Sequence, residues 1–546
     1  MEAILQKIKA KEADLEPRYS RFKTDLGRYY LDAFELKNEK GLKVKGARNV
    51  TLNDPRVFAD RVRAVLSSAK PRIEVYGPKL PKGYEPKVEE LWDSIVYGCN
   101  RKLLRQMSAE LHESLVTYSV LFGWVIARAW VWNNAGQAVF DLLPCDPLNV
   151  TFEVGPDGLI WVAHKRTRSA ESIEREYKKR PSGKNAVVTD YWDTEQNVVY
   201  VGSDQVLENP SGLIPFVIHP VGSGPPIGRD DTEMARNHGE SIYMANASIY
   251  DIKNEIASIA LTLAYLQFQP PAAYTSADGM KELEAYPFTP GAEIDLGQLE
   301  KVDPIELGHI KEATLFLWSV VDPASQRGSL VNSEYGELGF ELSAIAIEKL
   351  EAHRDQVFVP RLKALTATYR DIVHLLVDQF VALDLDAQLG ERGDLKGFDP
   401  GEYKEDFSVK FGMSTISPEK KVANYSMARA AEGLLDKDTI RREVLGVANP
   451  EEVEAKLLDD QITEMVPSIK LSRHYDWLAQ RIKETSGDER KSLEREQKLI
   501  ELALIPAGAQ EKGKEIPSTE APQLMTAESQ VQRESMRRQG LTREVT

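Results

Sequence analysis

Residues 241–267 read SIYMANASIYDIKNEIASIALTLAYLQ. Apolar side chains recur at Ile242, Ala245, Ile249, Ile252, Ile256, Ile259, Leu263 and Leu266, with spacings of three and four in alternation. That is a heptad seam, the pattern of a helix that packs along its length against another helix. Pro270-Pro271 ends it, because proline has no N–H to donate and crowds the residue before it. The uncharged run from Ile256 to Ala277 is interrupted by Gln267, Gln269 and the two prolines. The apolar helix left over is too short for a bilayer core of about 30 Å. Asp251, Lys253 and Glu255 fall off the seam, placed for ion pairs between subunits or for solvent.

Outward from the seam, the order of elements is distinctive. Residues 272–307 are rich in proline and glycine and read as short strands and turns around a small helix at 279–285. A shorter apolar helix follows from Ile310 to Val321, with Asp322-Pro323 as its expected stop. Residues 322–340, DPASQRGSLVNSEYGELGF, keep no period and carry three glycines. They read as a loop longer than most helix–helix connections. The longest helix then runs from Glu341 to Leu383. Its stripe is Phe358, Leu362, Leu365, Tyr369, Ile372, Leu376 and Leu383, with a kink expected at Pro360.

The flanks differ in character. Residues 2–35 read as helix, carrying the cluster Arg18, Tyr19, Arg21, Phe22, Arg28, Tyr29 and Tyr30. A helix opens at Asn53-Asp54-Pro55, and the strand Arg72 to Tyr76 follows it. The spacing of Leu104, Met107, Leu111, Leu115, Tyr118 and Phe122 predicts one helix from Asn100 to Phe122. After Gly123 the period changes to two. Strands are expected at 124–132, 138–143, 159–168, 187–191, 198–201 and 216–221, with a short helix over 169–178. A further strand is expected at 407–413. Helices are expected from Ser417-Pro418-Glu419, Leu435-Asp436-Lys437-Asp438-Thr439 and Asn449-Pro450-Glu451. Residues 506–546 are polar, without aromatic or cysteine, and read as disordered. The fold class is α+β, mainly helical.

Composition narrows the function. The chain has 546 residues, with 69 Lys and Arg against 85 Asp and Glu and a net charge of −16. A protein that grips nucleic acid over its whole surface needs the opposite sign, whereas one that lets DNA pass without sticking does not. Two cysteines, Cys99 and Cys145, form neither a disulfide framework nor a four-thiolate zinc site. The start, MEAILQKIKAKEADLE, has no apolar core of a secretory signal. Gly183-Lys184 and Gly513-Lys514 lack the rest of a phosphate-binding loop. Gly222 to Gly228 is interrupted by prolines, and no nucleophile elbow occurs. Asp384, Asp386 and Gln388 begin like a calcium loop, but Leu389 and Leu395 stand where glycine and glutamate are required. That stretch reads as a solvated helix end. The histidines are scattered, and His112 and His374 read as surface or satisfied core residues. No catalytic residue, metal site or cofactor is expected.

The succession over 232–383 of long seam helix, β-rich insertion, second helix, glycine-bearing loop and very long helix resembles the core of a tailed-bacteriophage portal protein. The flanking segments LLPCDPLNVTFEVGPDGLIWVAHKRTRS and GMSTISPEKKVANYSMARAAEGLLDKDTIRREVLGVANPEEVEAKL resemble the portal wing and crown. The resemblance covers roughly residues 15–460. It implies a wing at 1–231, a stem helix at 232–271, a clip at 272–307 and a second stem helix at 308–322. A tunnel loop at 323–340, a long wing helix with return strands at 341–415, a helical crown at 416–503 and a polar tail at 504–546 complete the division. It further implies a dodecameric ring at one capsid vertex of the virion, assembled in the host cytoplasm, with no membrane association. Double-stranded DNA would pass through it without sequence specificity. Terminase, head-completion and neck proteins, capsid and scaffold proteins would be partners. Gln326, Arg327, Ser329 and Asn332 of the tunnel loop would face the DNA. Ile242, Ile249, Ile252, Ile256, Ile259, Leu263 and Leu266 would form the subunit seam. The competing readings are a multidomain cytoplasmic enzyme with its site in the β-rich region 124–221, and a coiled-coil scaffold.

Overall fold

The computed structural model describes residues 2–77, 80–81, 83–222, 224–268, 272–275, 301–304, 311–329, 344–391 and 394–413, with scattered positions between 425 and 498. Two units are distinguished, residues 1–424 and 425–546. The fold is α+β, with more helix than strand among the described residues.

Unit 1 opens with α1 (Glu2–Asp14) and α2 (Glu16–Tyr30), so the expected single helix is broken at Leu15. Then come α3 (Asp54–Ser68), β1 (Arg72–Tyr76), α4 (Tyr84–Arg105) and α5 (Leu111–Leu121). The helix expected over Asn100–Phe122 is therefore two helices. Met107 takes a left-handed φ of 58° and is 98% exposed. The Ser108 N–H turns back to Leu103 O, and the Asn100 side chain accepts from the Leu111 N–H at 2.9 Å. The end of one helix and the start of the next are both satisfied by local groups.

The β region follows as β2 (Trp124–Asn134), β3 (Gln137–Pro144), β4 (Val150–Gly155), β5 (Gly158–Ser169), α6 (Ala170–Tyr177), β6 (Asn185–Asp193), β7 (Gln196–Val201), β8 (Asp204–Pro210) and β9 (Phe216–Pro220). Strands β4 to β8 form a five-stranded antiparallel meander in chain order. The second sheet runs β3-β2-β9. A buried ion cluster links the two. Arg128 on β2 reaches Asp141 on β3 at 2.7 Å and Asp190 on β6 at 2.8 Å, while Asn197 donates to Asp190 and Lys102 also pairs with Asp141. Burial alone would raise Asp141, but Arg128 and Lys102 hold its carboxyl below the ordinary range.

Beyond β9 come α7 (Asp231–Asn237), α8 (Ala247–Phe268), β10 (Ala272–Thr275), β11 (Lys301–Pro304), α9 (Lys311–Arg327) and α10 (Ala344–Leu383). Strands β12 (Ala387–Glu391) and β13 (Asp394–Phe398) form a hairpin where a solvated helix end was expected. β14 (Ser408–Gly412) pairs with β1.

The main core gathers around the later part of α10. Leu365, Tyr369, Ile372, Leu376 and Phe380 are buried there with Trp92, Leu115 and Phe411, and the half-buried Phe140 packs against them. Gln379 extends the second sheet from the helix. Its amide oxygen accepts from Val131 N–H at 3.0 Å and its NH2 donates to Ala129 O at 2.9 Å, where β9 no longer covers β2. His112 is satisfied on both ring nitrogens, by Tyr369 Oη at 3.0 Å and Leu66 O at 3.1 Å.

In unit 2, where a helix start is expected, Asp436 caps the turn Lys437–Thr439, its carboxylate accepting from Thr439 N–H at 3.0 Å. Ile440 and Leu478 are buried. The helix openings expected at Ser417 and Asn449, most of the crown and the tail after 504 lie outside the described residues.

Candidate subunit interface and channel segments

Helices α8 and α9 pack against each other, and β10 pairs antiparallel with β11 beyond the end of α8, Ala272 opposite Pro304. These strands are the two ends of the expected clip; its small helix at 279–285 lies outside the described residues.

The junction between the β region and α8 is tied down by backbone carbonyls. Trp124 Nε1 donates to His238 O at 3.1 Å, and Arg21 reaches the carbonyls of Phe122, Arg236 and His238. Arg361, wholly buried on α10 next to Pro360, donates to Glu240 O at 3.2 Å, and burial lowers its guanidinium to about 10. Gly123 sits here at a φ of 71°, with a would-be Cβ only 2.4 Å from Glu240 carbonyl carbon. No other residue satisfies both requirements.

The start of α8 corrects the seam. Ser241–Tyr243 precede the helix, a short 3-10 turn covers Met244–Asn246, and α8 begins at Ala247. Ile242 is buried in the main core and donates its N–H to Val120 O. It is therefore an anchor and not the first seam residue. Ile256 is buried within the chain, Ile249, Ile259, Leu263 and Leu266 are half-buried, and Ile252 is exposed.

One side of α8 carries a strap. Arg48, Val50 and Leu52 donate their backbone N–H groups to Thr262 Oγ1, Ser258 Oγ and Asn254 Oδ1 at 2.9, 2.9 and 2.8 Å. Alternate residues of an extended chain recur every ~6.6 Å. Helical residues four apart recur every ~6 Å. The two repeats match closely enough for three consecutive bonds.

Lys253 is 4% exposed and serves the chain itself, not a neighbour or solvent. Its ammonium lies 2.9 Å from Asp54 at the start of α3 and 3.2 Å from Asp322 on α9, with the Trp318 ring 5.4 Å away. Asp251 pairs with Arg28 at 3.3 Å.

The same contacts explain why α9 runs beyond its expected stop. It passes through Pro323 to Arg327, although an internal proline costs about 3 kcal/mol. Asp322 is held by Lys253 and by Gln326 Nε2 at 3.1 Å, and Ser325 O accepts from Asn246 Nδ2 at 2.7 Å. Gly328 closes the contact, because a Cβ there would fall 2.1 Å from Asn246 Oδ1. Gln326 and Arg327 are thus helical residues, and Arg327 is exposed. Ser329 is turned inward, its hydroxyl donating to Ser325 O at 2.9 Å, so it does not present a free hydroxyl to solvent. Asn332 lies outside the described residues.

Several large apolar side chains of this helix pair are exposed. Leu315 is 60% and Phe316 68% exposed, and Leu317, Trp318 and Val320 are also exposed on α9. Ile252, Leu261 and Tyr265 are exposed on α8. The sequence reading did not single out 315–320, although the run LFLWSVV is visible there. Among the described residues no helix is long and apolar enough to cross a membrane, and no group of three or more His, Cys, Asp or Glu could hold a metal ion.

No protein-family model matches the chain, and no curated protein does. Similar chains occur in solved structures, among them three of one kind of particle. One is "Virion of native gene transfer agent (GTA) particle", at 12% identity over 72% of this chain and 89% of that chain, with a TM-score of 0.37. Another is "Neck of empty GTA particle computed with C6 symmetry", at 13% identity, 72% and 89% coverage and a TM-score of 0.39. The third is "Neck of native GTA particle computed with C12 symmetry", at 13% identity, 71% and 89% coverage and a TM-score of 0.38.

Proposed function

We propose that this chain is a portal subunit. Copies stand side by side in a ring at one capsid vertex, and DNA enters and leaves through the central channel. The observation that carries the reading is the α8–α9 pair, whose Leu261, Leu315, Phe316 and Val320 remain exposed among the described residues. A closed cyclic ring covers such a surface with no exposed end. The element order, with a long helix, a β-rich excursion, a second helix and a very long helix, supports the same reading. A net charge of −16 suits a channel along which DNA must slide, because weak attraction permits movement in both directions. In this reading Arg327, exposed at the end of α9, is the tunnel candidate that remains fully available to phosphate.

Terminase and neck proteins would dock on the clip, and capsid and scaffold proteins on the wing. In the β-rich region of the enzyme alternative, the carboxylates of Asp190 and Asp193 are tied into local contacts. Asp190 is engaged by Arg128 and Asn197, and Asp193 accepts from the Glu195 and Gln196 N–H groups of its own turn. Negative-stain imaging of the purified full chain tests the proposal. Annular particles with a central hole support it, whereas compact single-chain particles or rods overturn it.

A further inference from the structure

Residues 36–45 form a small hairpin that stands away from the rest of unit 1. Asn38 N–H donates to Leu42 O at 2.8 Å and Val44 N–H to Leu36 O at 2.9 Å, so Lys37 stands directly opposite Lys43. The Asn38 carboxamide oxygen accepts from the Lys40 and Leu42 N–H groups and sets the turn, with Gly41 at a φ of 74°. Every residue from Lys37 to Gly46 is exposed. The strap that follows fixes the base of the hairpin on α8 through Arg48, Val50 and Leu52.

Its composition is opposite to that of the chain. Between residues 37 and 48 stand Lys37, Lys40, Lys43, Lys45 and Arg48 against Glu39 alone, a local charge of +4. The chain carries −16, so the remainder carries −20. Within the chain Lys43 is answered by Glu35 at 2.5 Å, and Arg48 lies over the Tyr265 ring at 4.2 Å. Like charges directly opposite on a two-stranded ribbon are destabilising, and such a ribbon is marginal on its own. The second face is apolar: Leu42 is 63% exposed and Val44 is exposed beside it. Lys43 and Lys45 alternate with them.

We propose that the hairpin 36–45 is a clasp that docks on a second copy of this chain. Lys37, Lys40 and Lys45 would meet acidic surface on that copy, and Leu42 and Val44 would meet its exposed α8–α9 apolar face. This rests on the ring reading. Only a second copy offers both halves of the match on the page: a surplus of acidic charge and an uncovered apolar helix pair. In a head-to-tail ring every subunit gives one clasp and receives one. Lysine-to-carboxylate contacts at such an edge are screened by salt.

The test is sedimentation velocity of the full chain between 50 and 500 mM NaCl, comparing wild type with Lys37→Glu/Lys40→Glu/Lys45→Glu and, separately, Leu42→Asp. Both variants change exposed positions. The expected result is assembly needing at least about tenfold more protein for either variant, a factor worth about 1.4 kcal/mol. The triple variant should also reverse the salt dependence, because its glutamates repel the acidic surface and added salt screens that repulsion. A wild type that assembles alongside variants that assemble identically overturns the clasp and leaves the ring reading standing. A wild type that stays monomeric overturns both. A triple variant that assembles normally but loses binding to a 30-base-pair duplex by fluorescence anisotropy overturns the clasp by making the hairpin a nucleic-acid contact.

Discussion

Lys253 Nζ lies 2.9 Å from Asp54 Oδ1, joining the middle of α8 to the first turn of α3. The same ammonium reaches Asp322 on α9, so one buried cation ties α8 and α9 to α3. Its two carboxylates are each more than a third exposed. Removing the cation therefore leaves them partly hydrated, at less cost than a fully buried pair. We expect Lys253→Met to destabilise unit 1 by on the order of 2 kcal/mol in urea titration. α9 beyond Pro323 should lose its amide protection first, since Asp322 is then held only by Gln326.

The strap predicts an exchange pattern. The amides of Arg48, Val50 and Leu52 belong to no regular element, yet each has a side-chain acceptor on α8. In hydrogen exchange they should exchange more slowly than the exposed Lys45 and Gly46. Ser258→Ala should accelerate Val50 selectively, by about fivefold for a bond worth roughly 1 kcal/mol. Equal exchange at Val50 before and after the substitution would contradict the strap.

Gln379 stands in for a strand. Gln379→Leu keeps the volume but orphans Val131 N–H and weakens the environment of Ala129 O. Each buried backbone group left without a partner costs about 1–3 kcal/mol. The expected loss is about 2–4 kcal/mol of unfolding free energy, with Gln379→Glu also destabilising because a carboxylate cannot donate to Ala129 O. A loss under about 0.5 kcal/mol, the range of ordinary surface changes, would contradict the role.

Acid sensitivity follows from the buried histidines. Burial, then Arg166 and Arg128, hold His164 well below its ordinary value of 6.5, and burial lowers His112 as well. A lowered histidine is neutral in the folded state while the unfolded chain takes up a proton. Its contribution is complete above pH 6.5 and is lost as pH falls below that value, at most about 1.4 kcal/mol per pH unit for one group. Asp25 and Asp146 are raised by burial and work the other way at lower pH. The variant difference isolates the histidine. His164→Met should flatten the urea midpoint between pH 6.5 and 5 relative to wild type, and an unchanged slope would contradict the assignment.

How much of this was visible in the residues varies with range. Six of the strands between Trp124 and Pro220 were legible because alternation and turn residues are local signals, whereas Val150–Gly155 and Asp204–Pro210 were not. The two long helices were legible because their periods persist over many turns. The break between α4 and α5 was hidden, since Leu104 and Met107 keep helical spacing while being exposed. The hairpin Ala387–Phe398 was missed because its strands are short and carry Gly390 and Gly397. Ile242 was assigned to the seam because it is in phase with Ile249, and nothing in the spacing reveals that the chain is still passing through the main core. Lys253 looked like a surface charge because its partners lie 199 and 69 residues away. The apolar run 315–320 was visible, but its exposure depends on which face α8 covers.

The central claim is that the exposed face of α8 and α9 is covered by another copy of the chain. Phe316→Asp addresses it better than a change at Ile256, which is buried within the subunit and would disturb the fold itself. The decisive measurement is mass photometry of the full chain and of Phe316→Asp. The account predicts a closed multiple of 61.3 kDa for the wild type and a single-chain mass with an unchanged melting temperature for the variant. A wild type that weighs 61.3 kDa at micromolar concentration, or a variant that assembles like it, would contradict the account.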